Sequence, residues 1–250
     1  MQGQSNFSRD KAISCKVELI FSNVQGKHKL GDFQMHNPNR LVVLTGFEPF
    51  ADFKVNPSWE AAKTFDHKKI DSFKVKSFQI PLTYKEIKPT ITRIMDTQKP
   101  AVIINLGQSY RALISLEKAA INFADLTESS ILYNCGTRPK DQTLEPNAPT
   151  AYFTTLPIRK ILNKLRQNNI PAEISYTAGT FGCNQIFYHT MHKIHKDRLD
   201  IKAGFIHVPS LPTQAAQLQK ARKKVIPSMN LDTTTKAVEI TIRTTLKNIK

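Results

Sequence analysis

Apolar residues in this chain arrive in short, nearly continuous runs, separated by stretches in which they recur every three or four positions. The runs Leu41-Val42-Val43-Leu44, 101–106 and 203–208 have the length and composition of strands buried on both faces. Residues 73–80 and 171–177 are also read as strands. Helical spacing fills the intervals. Ser58 is expected to cap a short helix carrying Trp59, Ala62 and Phe65. Tyr84, Ile87, Ile91, Ile94 and Met95 predict a second helix that Pro89 kinks or starts. Phe153, Leu156, Ile161, Leu162 and Leu165 predict a third, interrupted at Pro157. Residues 184–194 predict a fourth, and a last one begins near Asp232 with Val238, Ile242, Leu246 and Ile249 on one face.

Strands alternating with helices predict an α/β fold: a single domain whose central, twisted, mostly parallel or mixed sheet is flanked by helices on both faces, an α/β/α sandwich. Residues 1–39 are polar and irregular apart from a short apolar patch at 17–21. They are expected to form an N-terminal extension, partly disordered, ahead of a catalytic domain at 40–250. Residues 126–149 carry Asn134, Gly136, Pro139, Asp141, Pro146, Asn147 and Pro149, and read as a long loop of the kind that serves as a lid or interface.

Composition narrows the function classes. The chain has 250 residues, 40% of them hydrophobic, enough for one sizeable buried core. No run approaches a membrane span, and the first residues lack an apolar stretch of signal-peptide length, so a cytoplasmic protein is expected. Three cysteines, Cys15, Cys135 and Cys183, are too few and too scattered for a disulfide framework or a paired-cysteine metal site. The net charge is +16, concentrated at the ends; residues 216–250 hold eight Lys/Arg against two Asp/Glu. No basic stretch interleaved with aromatics accompanies it, so no specific nucleic-acid partner and no membrane partner is expected; a solvated basic surface is.

The candidate chemistry starts at Cys183, where a strand-like run gives way to a helix-like one. A cysteine at a helix start meets unpaired backbone N–H groups and the positive end of the helix dipole, which favour the nucleophilic thiolate. His207 ends the run Gly204-Phe205-Ile206-His207-Val208-Pro209, and Glu117 precedes Ala119-Ala120-Ile121. A thiol, an imidazole and a carboxylate beside predicted element ends, where α/β sheets place their sites, suggest a Cys–His–Glu hydrolase. His189, His192 and His195 share one helix face but have no carboxylate or cysteine at ligand spacing, so a solvated face is expected rather than a metal site.

Several segments, in order, resemble pyroglutamyl peptidase I. They are Thr45-Gly46-Phe47-Glu48-Pro49-Phe50, Val55-Asn56-Pro57-Ser58-Trp59-Glu60-Ala61, Gly107-Gln108, Glu117-Lys118-Ala119-Ala120-Ile121-Asn122, 151–158, 175–184 and 204–209. The resemblance implies a cofactor-free, metal-free cysteine peptidase that removes N-terminal pyroglutamate from peptides. It puts the catalytic roles on Cys183, His207 and Glu117. It implies that Phe47, Phe50 and Phe181 line the pocket for the lactam ring and that Gln108 hydrogen-bonds the lactam. It also implies a homo-oligomer, often a tetramer in bacterial members. The chain departs from the family pattern after Gly107-Gln108, where the segment is one residue short and Tyr110 stands at a usual glycine, and at Gly182, where a β-branched residue is usual and a looser turn is expected. Two alternatives stay open: a diverged member with another substrate, and an inactive basic binding protein on the same scaffold.

Overall fold

Every residue of the first strand, β1 (Leu41–Phe47), is buried, and its apolar side chains divide by parity. Leu41, Val43 and Phe47 join one core cluster, while Val42 and Leu44 join another. The same division recurs along β4 (Val102–Ser109) and β9 (Lys202–Pro209), with Ile103 and Phe205 on the first side and Ile104 and Ile206 on the second. Successive side chains of a strand point to opposite faces, so continuous apolar runs produce a sheet with a core on each side. The computed structural model describes residues 39–129, 132–223 and 225–249; the expected extension, apart from Asn39, lies outside the described residues.

In chain order the remaining elements are α1 (Pro57–Lys63), β2 (Lys69–Ile70), β3 (Phe73–Ile80), α2 (Tyr84–Gln98), β5 (Ile114–Glu117), β6 (Ala119–Ile121), β7 (Ala151–Phe153), α3 (Ile158–Gln167), β8 (Ala172–Ser175), α4 (Gly182–Lys196), α5 (Pro212–Arg222) and α6 (Leu231–Leu246). The main sheet has seven strands in the order β2-β3-β1-β4-β9-β5-β8. Strands β3, β1, β4 and β9 run parallel, whereas β5 pairs antiparallel with β9 and parallel with β8, making the sheet mixed. Helices α2 and α4 supply Ile87, Ile91, Ile186 and Met191 to one core; α1, α3 and α6 supply Ala62, Ile161, Leu165 and Ile242 to the other. This is the expected sandwich. No helix among the described residues is long and apolar enough to cross a membrane.

Three local expectations are corrected, and one helix is added. Asn56, not Ser58, caps α1: its Oδ1 accepts from Ser58 N at 3.1 Å, with Pro57 as the first helical residue. Residues 151–153 form β7, paired with β6, so Phe153 and Leu156 do not belong to α3, which starts after Pro157. Helix α5 was not announced by the apolar spacing because Leu218 is its one buried apolar residue. The histidine face of α4 is solvated only in part: His189 is 4% exposed and 3.0 Å from Glu145, while half-buried His192 and exposed His195 pack on Tyr152.

Candidate active site

The turn before α4 delivers Cys183 as the helix's second residue. The capping position is Phe181, in extended conformation and with no side-chain acceptor, so no side chain consumes the first-turn N–H groups. The helix start is anchored by its own amides. Asn184 Nδ2 donates to Ile121 O and Phe123 O, and its Oδ1 accepts from Ile121 N, all at 2.9 Å. Gln185 Nε2 donates to Tyr84 O at 2.7 Å, and its Oε1 accepts from Tyr133 at 2.9 Å. Neither amide was singled out from the sequence, although both directly follow Cys183.

Strand register brings His207 and Glu117 together. On the antiparallel pair β5–β9, Ser115 lies opposite His207 and Glu117 opposite Phe205. Glu117 and His207 are therefore diagonal neighbours on one face, within reach of two long side chains. His207 Nδ1 and Glu117 Oε1 are 2.7 Å apart, with Glu117 fully buried. This contact assigns the Nδ1 proton to the carboxylate and leaves Nε2 for the thiol. Burial alone would depress the His207 pKa. The Cys183 sulfur acting on the ring, together with Glu117, outweighs burial and pushes it up to about 9. The imidazole is thus disposed to hold its proton.

On β4, Gly107 stands opposite His207. A Cβ at this position would lie 2.7 Å from Cys183 Sγ and 2.6 Å from Phe205 Cζ, so the thiol and the ring occupy the space a side chain would need. At Gly182 a Cβ would fall 2.6 Å from Leu82 Cδ1, so the end of this flexible side chain lies in the volume of the missing one.

Beside the thiol lies a pocket of about 110 Å³ lined by Phe47, Phe50, Phe181, Gln108 and Cys183, together with Asn56, Leu82, Ser109 and Tyr110. All four residues expected to bind substrate are present on its wall. Gln108 Nε2 donates to Ser210 Oγ at 2.9 Å and lies 3.3 Å from Gln214 Oε1, which fixes the amide at the pocket edge. Phe181 is backed by Tyr133, ring centroids 4.5 Å apart, from the long loop after β6. That loop is tied across the pocket wall by Asn134 Nδ2, which donates to Glu48 Oε1 at 2.8 Å and to Pro49 O at 3.0 Å. The walls are flat, apolar and uncharged, and suit a small neutral ring carrying a few hydrogen-bonding groups. Among the described residues no three His, Cys, Asp or Glu side chains are grouped to hold a metal ion.

The comparisons with known proteins agree with this arrangement. The family described as Pyroglutamyl peptidase matches residues 40–248. The chain is 39% identical over 204 residues to a pyrrolidone-carboxylate peptidase of Bacillus mycoides, covering 81% of this chain and 91% of that protein. It is 41% identical over 207 residues to pyrrolidone-carboxylate peptidase 1 of Ralstonia nicotianae, covering 82% and 93%. Among solved structures, a mutant pyrrolidone carboxyl peptidase of Pyrococcus furiosus superposes with a TM-score of 0.80 at 35% identity, over 84% of this chain and all of that one. Pyroglutamyl peptidase I of Bacillus amyloliquefaciens gives 0.76 at 37% identity, over 82% and 94%. With the fold, the order of its segments and the match over nearly all of residues 40–248 in agreement, the chain belongs to the pyroglutamyl peptidase family of cysteine peptidases.

Proposed function

We propose that this chain hydrolyses the amide bond that joins an N-terminal pyroglutamyl residue to the rest of a peptide, with Cys183, His207 and Glu117 as its catalytic residues. The observation that carries the reading is the 2.7 Å His207–Glu117 contact, on an imidazole that also meets Cys183 at the mouth of the three-phenylalanine pocket. The Cys183 thiolate attacks the pyroglutamyl carbonyl. The resulting oxyanion meets backbone N–H groups of the uncapped first turn of α4, including that of Cys183. The His207 imidazolium gives its proton to the leaving amine as the C–N bond breaks, which leaves a thioester on Sγ. Neutral His207 then takes a proton from water as the water attacks the thioester. Pyroglutamate departs and the thiolate–imidazolium pair is restored. Glu117 holds the ring's orientation and supports its charged form throughout.

Phe47, Phe50 and Phe181 enclose the lactam, and Gln108 hydrogen-bonds it. A pocket that pairs its polar groups with a lactam amide rejects rings lacking that amide, because its own groups would be left unpaired. A catalytic thiol needs a reducing compartment, consistent with the free thiols of Cys135 and Cys183 and with a cytoplasmic enzyme. The test is release of aminomethylcoumarin from its pyroglutamyl amide by the purified chain under reducing conditions. Wild type should release it and Cys183→Ser should not. No release by folded wild type would refute the substrate assignment.

A further inference from the structure

Glu117 is fully buried, and a carboxylate in such a place needs its charge compensated. His207 supplies one partner. The second comes from the four-residue turn between β4 and β5. Arg111 Nη1 lies 3.3 Å from Glu117 Oε1, the same oxygen that meets His207, and 3.4 Å from Glu173 Oε1 on β8. Glu173 in turn accepts from Ser115 Oγ at 3.0 Å, and Ser115 faces both Glu173 and His207 across its two neighbouring strands. Among the described residues, Arg111 is the one Lys or Arg within ion-pair distance of Glu117. Glu117 Oε2 is buried without a hydrogen-bond partner, so the carboxylate is anchored through Oε1 alone.

We propose that Arg111 is a positioning residue for the reaction: its guanidinium, steadied by Glu173, fixes the Glu117 carboxylate and through it the orientation of His207. The inference rests on the catalytic roles proposed above for Cys183, His207 and Glu117. Without Arg111 the carboxylate would pivot about a single hydrogen bond, and the imidazole with it. Arg111 is 38% exposed and does not line the pocket, so its contribution passes through Glu117 and not through substrate contact.

The electrostatics give a signature that mere structural support would lack. The charged and titratable groups facing His207 are Cys183 from α4 and Glu117 from β5; behind Glu117 stand Arg111 from the turn and Glu173 from β8, while β4 presents the uncharged Gly107. A positive charge behind Glu117 opposes the imidazolium, and a negative one supports it. Removing the Arg111 charge therefore raises the pH at which His207 loses its proton, and removing the Glu173 charge lowers it.

The experiment measures Cys183 alkylation by iodoacetamide against pH, following the Cys183 peptide by mass so that Cys15 and Cys135 do not contribute. Hydrolysis of pyroglutamyl-aminomethylcoumarin is measured in parallel. R111Q should move the basic limb of the hydrolysis profile, and the matching inflection of the alkylation profile, up by about half to one pH unit, and E173Q should move both down. R111Q should also lose about 10- to 100-fold in kcat with KM little changed, and R111K should recover most of that loss. A basic limb in R111Q indistinguishable from wild type overturns the proposal. If R111Q does not fold, E173Q decides, and an unmoved limb there overturns it equally. Wild type that is inert on the coumarin substrate but shows both shifts in alkylation would refute the substrate reading and leave the role of Arg111 standing.

Discussion

Replacing Gly107 by alanine is the sharpest single perturbation of this site. The added Cβ would sit 2.7 Å from Cys183 Sγ and 2.6 Å from Phe205 Cζ, roughly 1 Å inside ordinary contact for both. The two neighbours differ in their freedom to move. Phe205 is 1% exposed and held in the core against Phe187, so its ring cannot swing away. Cys183 has one side-chain torsion, and rotating about it takes Sγ off its line to the pocket and to His207. Overpacking of a dense site costs about 1–3 kcal/mol, which for a chain of this size lowers Tm by roughly 2–12 °C. A nucleophile displaced by about 1 Å costs about 100-fold in rate. Gly107→Ala should therefore fold, melt a few degrees early, and lose about two orders of magnitude in kcat/KM on the coumarin substrate. Its Cys183 should also alkylate more slowly than that of wild type at neutral pH. A variant with wild-type kcat/KM would refute the claim that this glycine makes room for the nucleophile.

Two further outcomes follow from the titrating groups. The His207 pKa is raised, so its protonated form is present below about 9 and lost above it; kcat/KM should fall on the alkaline side near pH 9, and a limb near pH 6.5 would refute the thiolate–imidazolium pair. Burial holds His189 down at about 4, against the pull of Glu145, so the unfolded chain binds an extra proton between that value and the ordinary 6.5. Stability should accordingly fall as pH drops through this window, by an amount on the order of 3 kcal/mol at its lower end, and His189→Asn should flatten the dependence in denaturant melts at pH 7 and pH 5.

The parts of this molecule legible from sequence share one physical property: each is dictated by its own neighbours along the chain. The strands at β1, β4 and β9 were readable because side chains buried on both faces leave a continuous apolar run. The candidate residues Cys183, His207 and Glu117, with Phe47, Phe50, Phe181 and Gln108, were readable because their segments carry a family pattern. What was not readable depends on distant partners. The antiparallel insertion of β5 sets Glu117 against His207 across 90 residues, and no local spacing encodes that pairing. No local pattern marks Arg111; the fold alone places it behind Glu117. His189 looked solvated because the loop bearing Glu145, which packs against it, lies 44 residues upstream, and half-buried His192 meets Tyr152 across 40 residues. That the end of Leu82 stands beside Gly182 was equally unreadable, since the two lie 100 residues apart.

The position of β9 has a consequence for how the enzyme comes into being. It is the last strand made, yet it sits between β4 and β5, and among the described residues it is the strand through which β5 and β8 join the rest of the sheet. A growing chain can form β1, β3, β4 and the helices between them as residues emerge, but within the main sheet no strand joins β5 to that half until residues 202–209 slot into the gap. On the proposed mechanism, His207 then meets Cys183 and Glu117 in one event. A chain that has not yet presented residues 202–209, or one cut short before His207, carries Cys183 but not the imidazole, and on the proposed mechanism it has no hydrolytic power.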